Sequence, residues 1–397
     1  MKPKLTFGTM KLMAGTLGEE SPVPDLVGGL ILQNKLEFYL DEDDELYEGY
    51  GRCQTSYPYR QYTCYSRELR ETEVKTAVLE NDYLKAVFLP EYGGRLWSLT
   101  DKERGRELLY TNDVLRFCNL AVRNAWFSGG VEWNLGVIGH TPLTADQLYT
   151  AVLEQEDGTK ILRMYEYELR PLSEHLAFSV QEKEQIWKDY LETGILKEPD
   201  PKEAPPAFVN SAEIFQMLKK TAAETDGWYA HYQLGVLYMQ EKAYEDAKEQ
   251  LQASLAAGEQ PWALHALAAL HVLENQEDKA ASLMERGLCL RMDDLAYIKE
   301  GFQILLTCRA YEAVKRIYEQ LEEKLQQNGR LKLGYAFSLY QLGEADRAAG
   351  LLEENGGLVV EDIREGEDGL NALWEKTHRE LSGEDQEVPY HFDFKAV

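Results

Sequence analysis

The chain has little of what would staple or metallate it. Its five cysteines, Cys53, Cys64, Cys118, Cys289 and Cys308, are odd in number, widely spaced and without a CxxC pair, which argues against a disulfide framework and a thiolate metal site. Long apolar runs are missing too: no stretch approaches the ~20 residues that cross a bilayer. The opening MKPKLTFGTMKLMAGTLGEESP carries positive charge but no sustained apolar core of the secretory kind. The expectation is a cytoplasmic protein with no membrane partner. Positive charge is scarce, with 42 Lys+Arg against 69 Asp+Glu and a formal net charge of -27. Such a surface repels phosphate backbones, so no nucleic-acid partner is expected. What is present suffices for two or three domains: 397 residues, 44% hydrophobic and 11% aromatic.

Residues 1–72 show no clear period and read as an N-terminal arm with leading strands. They contain an amphipathic run at 35–40, the acidic patch DEDDE at 41–45, taken as an exposed loop, and a tyrosine-rich stretch after it. From Glu73 the period is 2. Val74, Thr76 and Val78 alternate with Lys75, Ala77 and Leu79, and Glu80-Asn81-Asp82 turns the chain into a second strand at 83–89. Pro90-Glu91-Tyr92-Gly93-Gly94 leads into 95–99, and Asp157-Gly158 between 149–154 and 160–166 is a strong hairpin signal. Short, closely spaced strands over 73–170 predict an antiparallel sandwich. The alternation then stops. Residues 182–192 read as helix and LKEPDPKEAPPAF, 196–208, as a proline-rich linker holding the domain boundary, within a connecting region 171–209.

After the linker the chain repeats. Ala247, Ala280, Ala313 and Ala348 are 33, 33 and 35 residues apart, and a small residue, Gly235, Ala268, Gly301 or Ala336, precedes each by twelve. Two small-residue registers with a period near 34 predict helix-turn-helix repeats of tetratricopeptide type over 210–355, because small side chains let paired helices approach closely. Residues 356–397 read as a capping helix at 370–381 followed by an extended tail.

The stretch with the densest chemistry is 125–142, AWFSGGVEWNLGVIGHTP. Gly129 and Gly130 permit close backbone approach; Trp126 and Trp133 offer flat faces with one polar handle; Glu132, Asn134 and His140 supply a carboxylate, an amide and a group titrating near neutrality. This mixture suits a pocket, and equally a tight turn between core strands with its histidine hydrogen-bonded in place. Strand alternation puts the Glu132 carboxylate opposite Val131 and Trp133, in a cleft or in water, and a place among tryptophans would raise its pKa toward general-acid work. Arg95 and Arg123 suit a clamp on a ligand or an ion pair with an acidic neighbour. Trp97, Trp126 and Trp133 suit stacking platforms or core. Glycoside hydrolysis needs a second carboxylate at a set separation, and none is identifiable. His140 and Glu132 lack a third ligand at suitable spacing, so neither a metal nor a cofactor is expected.

PEYGGRLWSL at 90–99 and RNAWFSGGVEWNLGVIGHTP at 123–142 carry a specific resemblance. The region from about 52 to 168 resembles the DUF5107 family of the galactose-mutarotase-like superfamily, often joined to tetratricopeptide repeats. The resemblance implies an α+β multidomain chain: an antiparallel mutarotase-like supersandwich with a carbohydrate cleft, then a helical solenoid. It also implies a carbohydrate-binding or carbohydrate-processing function, of epimerase or glycoside-processing type. Glu132 and His140 are the catalytic candidates, the site role of His140 favoured mainly by the resemblance, and Arg95, Trp97, Arg123, Asn124, Trp126, Trp133 and Asn134 the substrate-binding ones; the later glutamate that shares the acid-base work in mutarotase-like enzymes falls in the absent portion and is carried onto no residue here. Later strands of such sandwiches have no counterpart here, since RMYEYEL at 163–169 passes directly toward helices. The implied sandwich is shortened, by an internal deletion or as a natural variant, and its activity is lost if those strands are essential. The alternative function is a non-enzymatic scaffold whose repeats hold a protein or peptide partner.

Overall fold

The computed structural model describes residues 3–27, 55–134, 140–165, 184–364 and 369–392. The amphipathic run at 35–40, the acidic patch at 41–45, Cys53 and the stretch 135–139 of the central segment lie outside these residues. The chain divides into two units: Met1–Gly18, Gly29–Ser56 and Tyr65–Glu168 in the first, Glu19–Gly28, Tyr57–Cys64 and Leu169–Val397 in the second.

The first unit is built on strands β1 (Lys4–Thr16), β2 (Ser66–Glu80), β3 (Leu84–Leu89), β4 (Arg95–Asp101), β5 (Arg106–Glu107) and β6 (Val114–Leu115). They form one six-stranded sheet in the order β5-β4-β3-β2-β1-β6. The expected hairpin is β2 and β3, and its turn is closed by Asn81, whose Oδ1 accepts from the amides of Tyr83 and Leu84, each at 2.8 Å. Pairing is antiparallel except at the far edge, where Met13 and Ala14 of β1 run parallel to Val114 and Leu115. The chain has by then crossed from the β5 edge to the opposite one. Two ribbons complete the unit: β7 (Phe117–Cys118) with β8 (Trp126–Phe127), and β9 (Tyr149–Glu154) with β10 (Lys160–Tyr165). Strand β1 sits inside the sheet, beside the long β2. Its apolar residues are not confined to one face: Leu5 and Leu12 are buried while Phe7 is 55% exposed, which is why no period of 2 marks it.

The second unit is helical: α1 (Gln185–Thr193), α2 (Ala212–Glu224), α3 (Trp228–Gln240), α4 (Tyr244–Ala257), α5 (Pro261–Leu273), α6 (Glu277–Leu290), α7 (Leu295–Thr307), α8 (Tyr311–Gln320), a single turn α9 (Glu323–Gln326), α10 (Gly329–Gln341), α11 (Ala345–Glu353) and α12 (Gly369–Ser382). Starts are set by side-chain caps: Ser211, Gln260, Asp294 and Asn328 accept from amides of the first turn, and Pro261 sits at the first helical position of α5. The turn inside each pair uses a left-handed residue, Lys242, Asn275, Arg309 and Gly343, at the same 33–34-residue spacing. Both small-residue registers lie in the helix seams. Ala247, Ala268, Ala280, Ala336 and Ala348 are wholly buried. A methyl group added to Gly235 would lie 2.7 Å from Leu251, and one added to Gly301 2.6 Å from Leu288. Ala280→Leu should therefore overpack the second pair and cost about 1–3 kcal/mol, read as a lower midpoint in thermal or urea melts; an unchanged midpoint would show that the seam is loose there.

Two expectations are corrected. The proline-rich stretch is not a free linker holding the boundary: the second unit begins at Leu169, and Ala207 and Phe208 are buried in its core with Trp187, Tyr190 and Tyr232. The described part of the expected extended tail is not extended throughout either: Tyr390–Phe392 form a single helical turn. Phe392, 1% exposed, packs with Leu370, Leu373 and Trp374 of the capping helix α12, an apolar anchor that outweighs the polarity of its neighbours.

Candidate functional site

The central segment is held on the edge of the sheet by backbone hydrogen bonds. After β8 the chain turns at Gly129-Gly130, and Val131 pairs with Leu96 of β4, amide to carbonyl in both directions at 3.2 and 2.9 Å. Gly130 has φ +65, and a Cβ there would lie 2.2 Å from the Leu96 carbonyl oxygen, so only glycine lets the segment lie this close. Buried Arg95, at the start of β4, donates to the Gly129 carbonyl at 3.0 Å and lies 4.1 Å over the Phe127 ring. Glu132 follows at once, its carboxylate turned to the groups around it.

Those groups take up both oxygens. Trp126 Nε1 donates to Oε2 at 2.8 Å and the Thr144 hydroxyl donates to Oε1. His140 Nδ1 lies 3.2 and 3.3 Å from the two, and Arg95 Nη2, which has no hydrogen-bond partner, is 4.0 Å from Oε2. Burial acts to raise the Glu132 pKa, but the hydrogen bonds from Thr144 and Trp126 and the charges of His140 and Arg95 outweigh it, and the carboxyl lies below the ordinary carboxylate range. The expected general acid is thus corrected: donors and cations surround this group where apolar walls were anticipated. When the His140 ring is neutral, an ionised Glu132 requires its one N–H at Nδ1, which leaves Nε2 as the lone-pair nitrogen. The Glu132 side chain is 13% exposed and that of His140 50%. The imidazole is the accessible half of the pair, set edge-on to Trp126 at 6.3 Å between centroids.

The other candidates divide. Trp133 is 38% exposed, with Nε1 fixed on the Gly94 carbonyl at 2.9 Å, and Asn134 Oδ1 accepts from the His140 amide at 2.9 Å. Of its two expected roles Trp97 takes the core one: it is 2% exposed and packs against Phe127 at 6.3 Å. Arg123, 2% exposed, is spent on the Pro142 carbonyl and Asp146, where it ties down the segment carrying His140 and Thr144. Asn124 occupies a left-handed turn position, φ 57, its amide on the Ala121 carbonyl. Thr144 is the member that sequence reading missed; a lone threonine four residues beyond His140 carries no signal of its own. Among the described residues no group of three or more His, Cys, Asp or Glu is placed to hold a metal ion, and no helix is long and apolar enough to cross a membrane.

Comparison with known proteins places this geometry in context. Residues 52–214 match the family profile described as Domain of unknown function (DUF5107). The fold is similar to that of a TPR-domain containing protein from Parabacteroides distasonis ATCC 8503, known from a crystal structure, with TM-score 0.65, 13% identity, and coverage of 98% of each chain. A crystal form of MamA AMB-1 is matched over 39% of this chain and 82% of its own, at 16% identity and TM-score 0.30. Residues 52–214 are thus similar to the DUF5107 profile, and the helix pairs of the second unit have a tetratricopeptide-like fold.

Proposed function

We propose that the first unit recognises a carbohydrate at the Glu132–His140 pair and that His140 carries any proton transfer there. The observation that carries this reading is the arrangement itself: an exposed imidazole set edge-on to Trp126 and backed by a carboxylate that is largely buried and held ionised, in a segment that also presents a half-exposed tryptophan, Trp133, whose ring is held in place by its indole N–H. A pyranose offers an apolar face for Trp133 and hydroxyls for His140 Nε2. When Nε2 takes a proton from a hydroxyl, the imidazolium forms next to Glu132, which stabilises it and holds the tautomer. Glu132 is then a positioning residue. Its two oxygens are occupied, which leaves it poorly placed as a nucleophile or acid, and the sugar epimerase type of chemistry fits better than glycoside hydrolysis.

Calorimetry against a panel of monosaccharides and glycosides tests the reading. His140→Ala should abolish turnover or weaken binding, with stability within about 0.5 kcal/mol of wild type, as for an exposed substitution. Glu132→Gln should also lower stability by about 1–3 kcal/mol, because buried Arg95 loses its facing charge. A wild-type protein that binds no sugar in the panel would sink the proposal and favour the second reading. That reading, a protein-interaction scaffold, rests on the repeated helix pairs of the second unit, an architecture that builds extended binding surfaces.

A further inference from the structure

The proline-rich segment of the second unit is held by an unusual set of contacts: side chains that read its backbone. Trp228 Nε1, at the start of α3, donates to the Pro199 carbonyl at 3.2 Å, and Trp262 Nε1, at the start of α5, to the Pro201 carbonyl at 3.0 Å. These tryptophans lie at the starts of the first helices of successive repeats, Trp228 the first residue of α3 and Trp262 the second of α5. Arg291, between α6 and α7, donates to the Lys202 carbonyl at 2.8 Å. Gln233 of α3 reaches the Ala207 carbonyl at 3.3 Å. From the short stretch Tyr57–Cys64 of the same unit, Arg60 donates to the carbonyls of Pro205 and Pro206 at 3.4 and 3.3 Å, and the Tyr57 hydroxyl to that of Val209 at 2.7 Å.

Seven carbonyls between Pro199 and Val209 are thus taken by side-chain donors, in a segment with no helix or strand. Its surface is divided: 200–203 are exposed, while Pro205, Ala207 and Phe208 are buried, Phe208 lying between the rings of Tyr57 and Tyr232 at 6.3 and 6.2 Å. Proline favours this role, because it fixes an extended backbone and leaves only carbonyls to be recognised. Tryptophan N–H groups donating to such carbonyls beside an apolar socket is the chemistry of polyproline recognition. The fit is incomplete: Gln233 is fully buried, and its Oε1 has no hydrogen-bond partner, an acceptor that a peptide with an N–H at that place would satisfy.

We propose that the helical array carries a binding site for an extended, proline-containing peptide, and that residues 199–209 fill it in cis. The segment is a tethered occupant, and a peptide of the same type from a partner gains the site by displacing it. Tethering gives the occupant an effective concentration on the order of millimolar, so the intact chain binds a competing peptide weakly until the segment is loosened.

The test uses the full chain and a fluorescent peptide spanning residues 198–209, EPDPKEAPPAFV. Phe208→Ala, which empties the socket and leaves every helix residue unchanged, should bind the peptide at least about tenfold more tightly than wild type. Adding Trp262→Phe, which keeps the ring but removes the donor, should weaken that binding about fivefold. Hydrogen exchange on the wild type supplies an independent measure: amides within 199–209 should open well before those of α3 and α5. A folded Phe208→Ala protein that binds no better than wild type overturns the proposal. So does collapse of the helical signal in that variant, or exchange of the segment only through global unfolding, since either makes the segment permanent core.

Discussion

Asp362→Ala should lower the stability of the helical unit by about 3–5 kcal/mol, the largest single effect expected in this protein. The Asp362 and Lys299 side chains are 8% and 7% exposed and meet at 2.8 Å; Arg330 Nε joins the same carboxylate at 2.9 Å. Lys299 also donates to the Thr63 carbonyl. Removing the carboxylate strands a buried ammonium beside a half-buried guanidinium, and the penalty is that of unpaired buried charge, which exceeds the net worth of an intact pair. Burial acts to raise the Asp362 pKa, but Lys299 and Arg330 outweigh it and hold the group below the ordinary aspartate value. The sign of the pH effect follows. The unfolded chain binds the proton first as pH falls, so the stabilisation is complete above about pH 4 and is lost as pH drops through the lower folded value. Urea melts at pH 7 and pH 3 check both statements. The gap between wild type and Asp362→Asn should shrink at the lower pH, and a constant gap would show that the pair is not ionised in the folded state.

Gly130→Ala should destabilise the first unit by about 1–3 kcal/mol from its left-handed backbone alone, with a steric cost added. The new methyl would sit 2.2 Å from the Leu96 carbonyl oxygen, which is backbone inside a paired strand and has nowhere to move. Gly105→Ala is the matched control: its φ is +62, yet nothing lies within 4 Å of the added carbon. The difference between the two variants in thermal midpoint isolates the clash. Because Val131 is anchored to Leu96 by the bond that the clash breaks, Glu132 should lose its place against Trp126 and Thr144. Faster exchange of the Val131 amide in Gly130→Ala than in Gly105→Ala would report that loss directly; equal rates would mean that the segment is held by other contacts.

The hairpins were legible because their evidence is local. Alternation at 74–79 with Asn81 in the turn, and Asp157-Gly158 between two strands, specify their own pairing. The helix repeats were legible for another reason: a seam tolerates only small residues, so Gly235, Ala247 and their counterparts recur at a fixed period whatever surrounds them. Strand β1 gave no such signal, since neighbours on the sheet, and no alternation of its own, settle which of its side chains are buried.

Composition alone put Trp126, Glu132, Trp133, Asn134 and His140 in one short segment, and so established which chemical groups are available there. Their roles were decided by residues distant in sequence. Arg95 from β4 and Thr144 from beyond the turn turn an anticipated acid into a carboxylate held ionised, and Phe127 claims Trp97 for the core. Likewise the prolines at 199–206 announced an extended chain without saying what would read it. The donors come from Tyr57, Arg60, Trp228, Gln233, Trp262 and Arg291, and only folding brings them to one strip of backbone. Local pattern determines backbone conformation, whereas protonation, burial and partnership depend on fields and contacts that act through space, between residues that the sequence keeps apart.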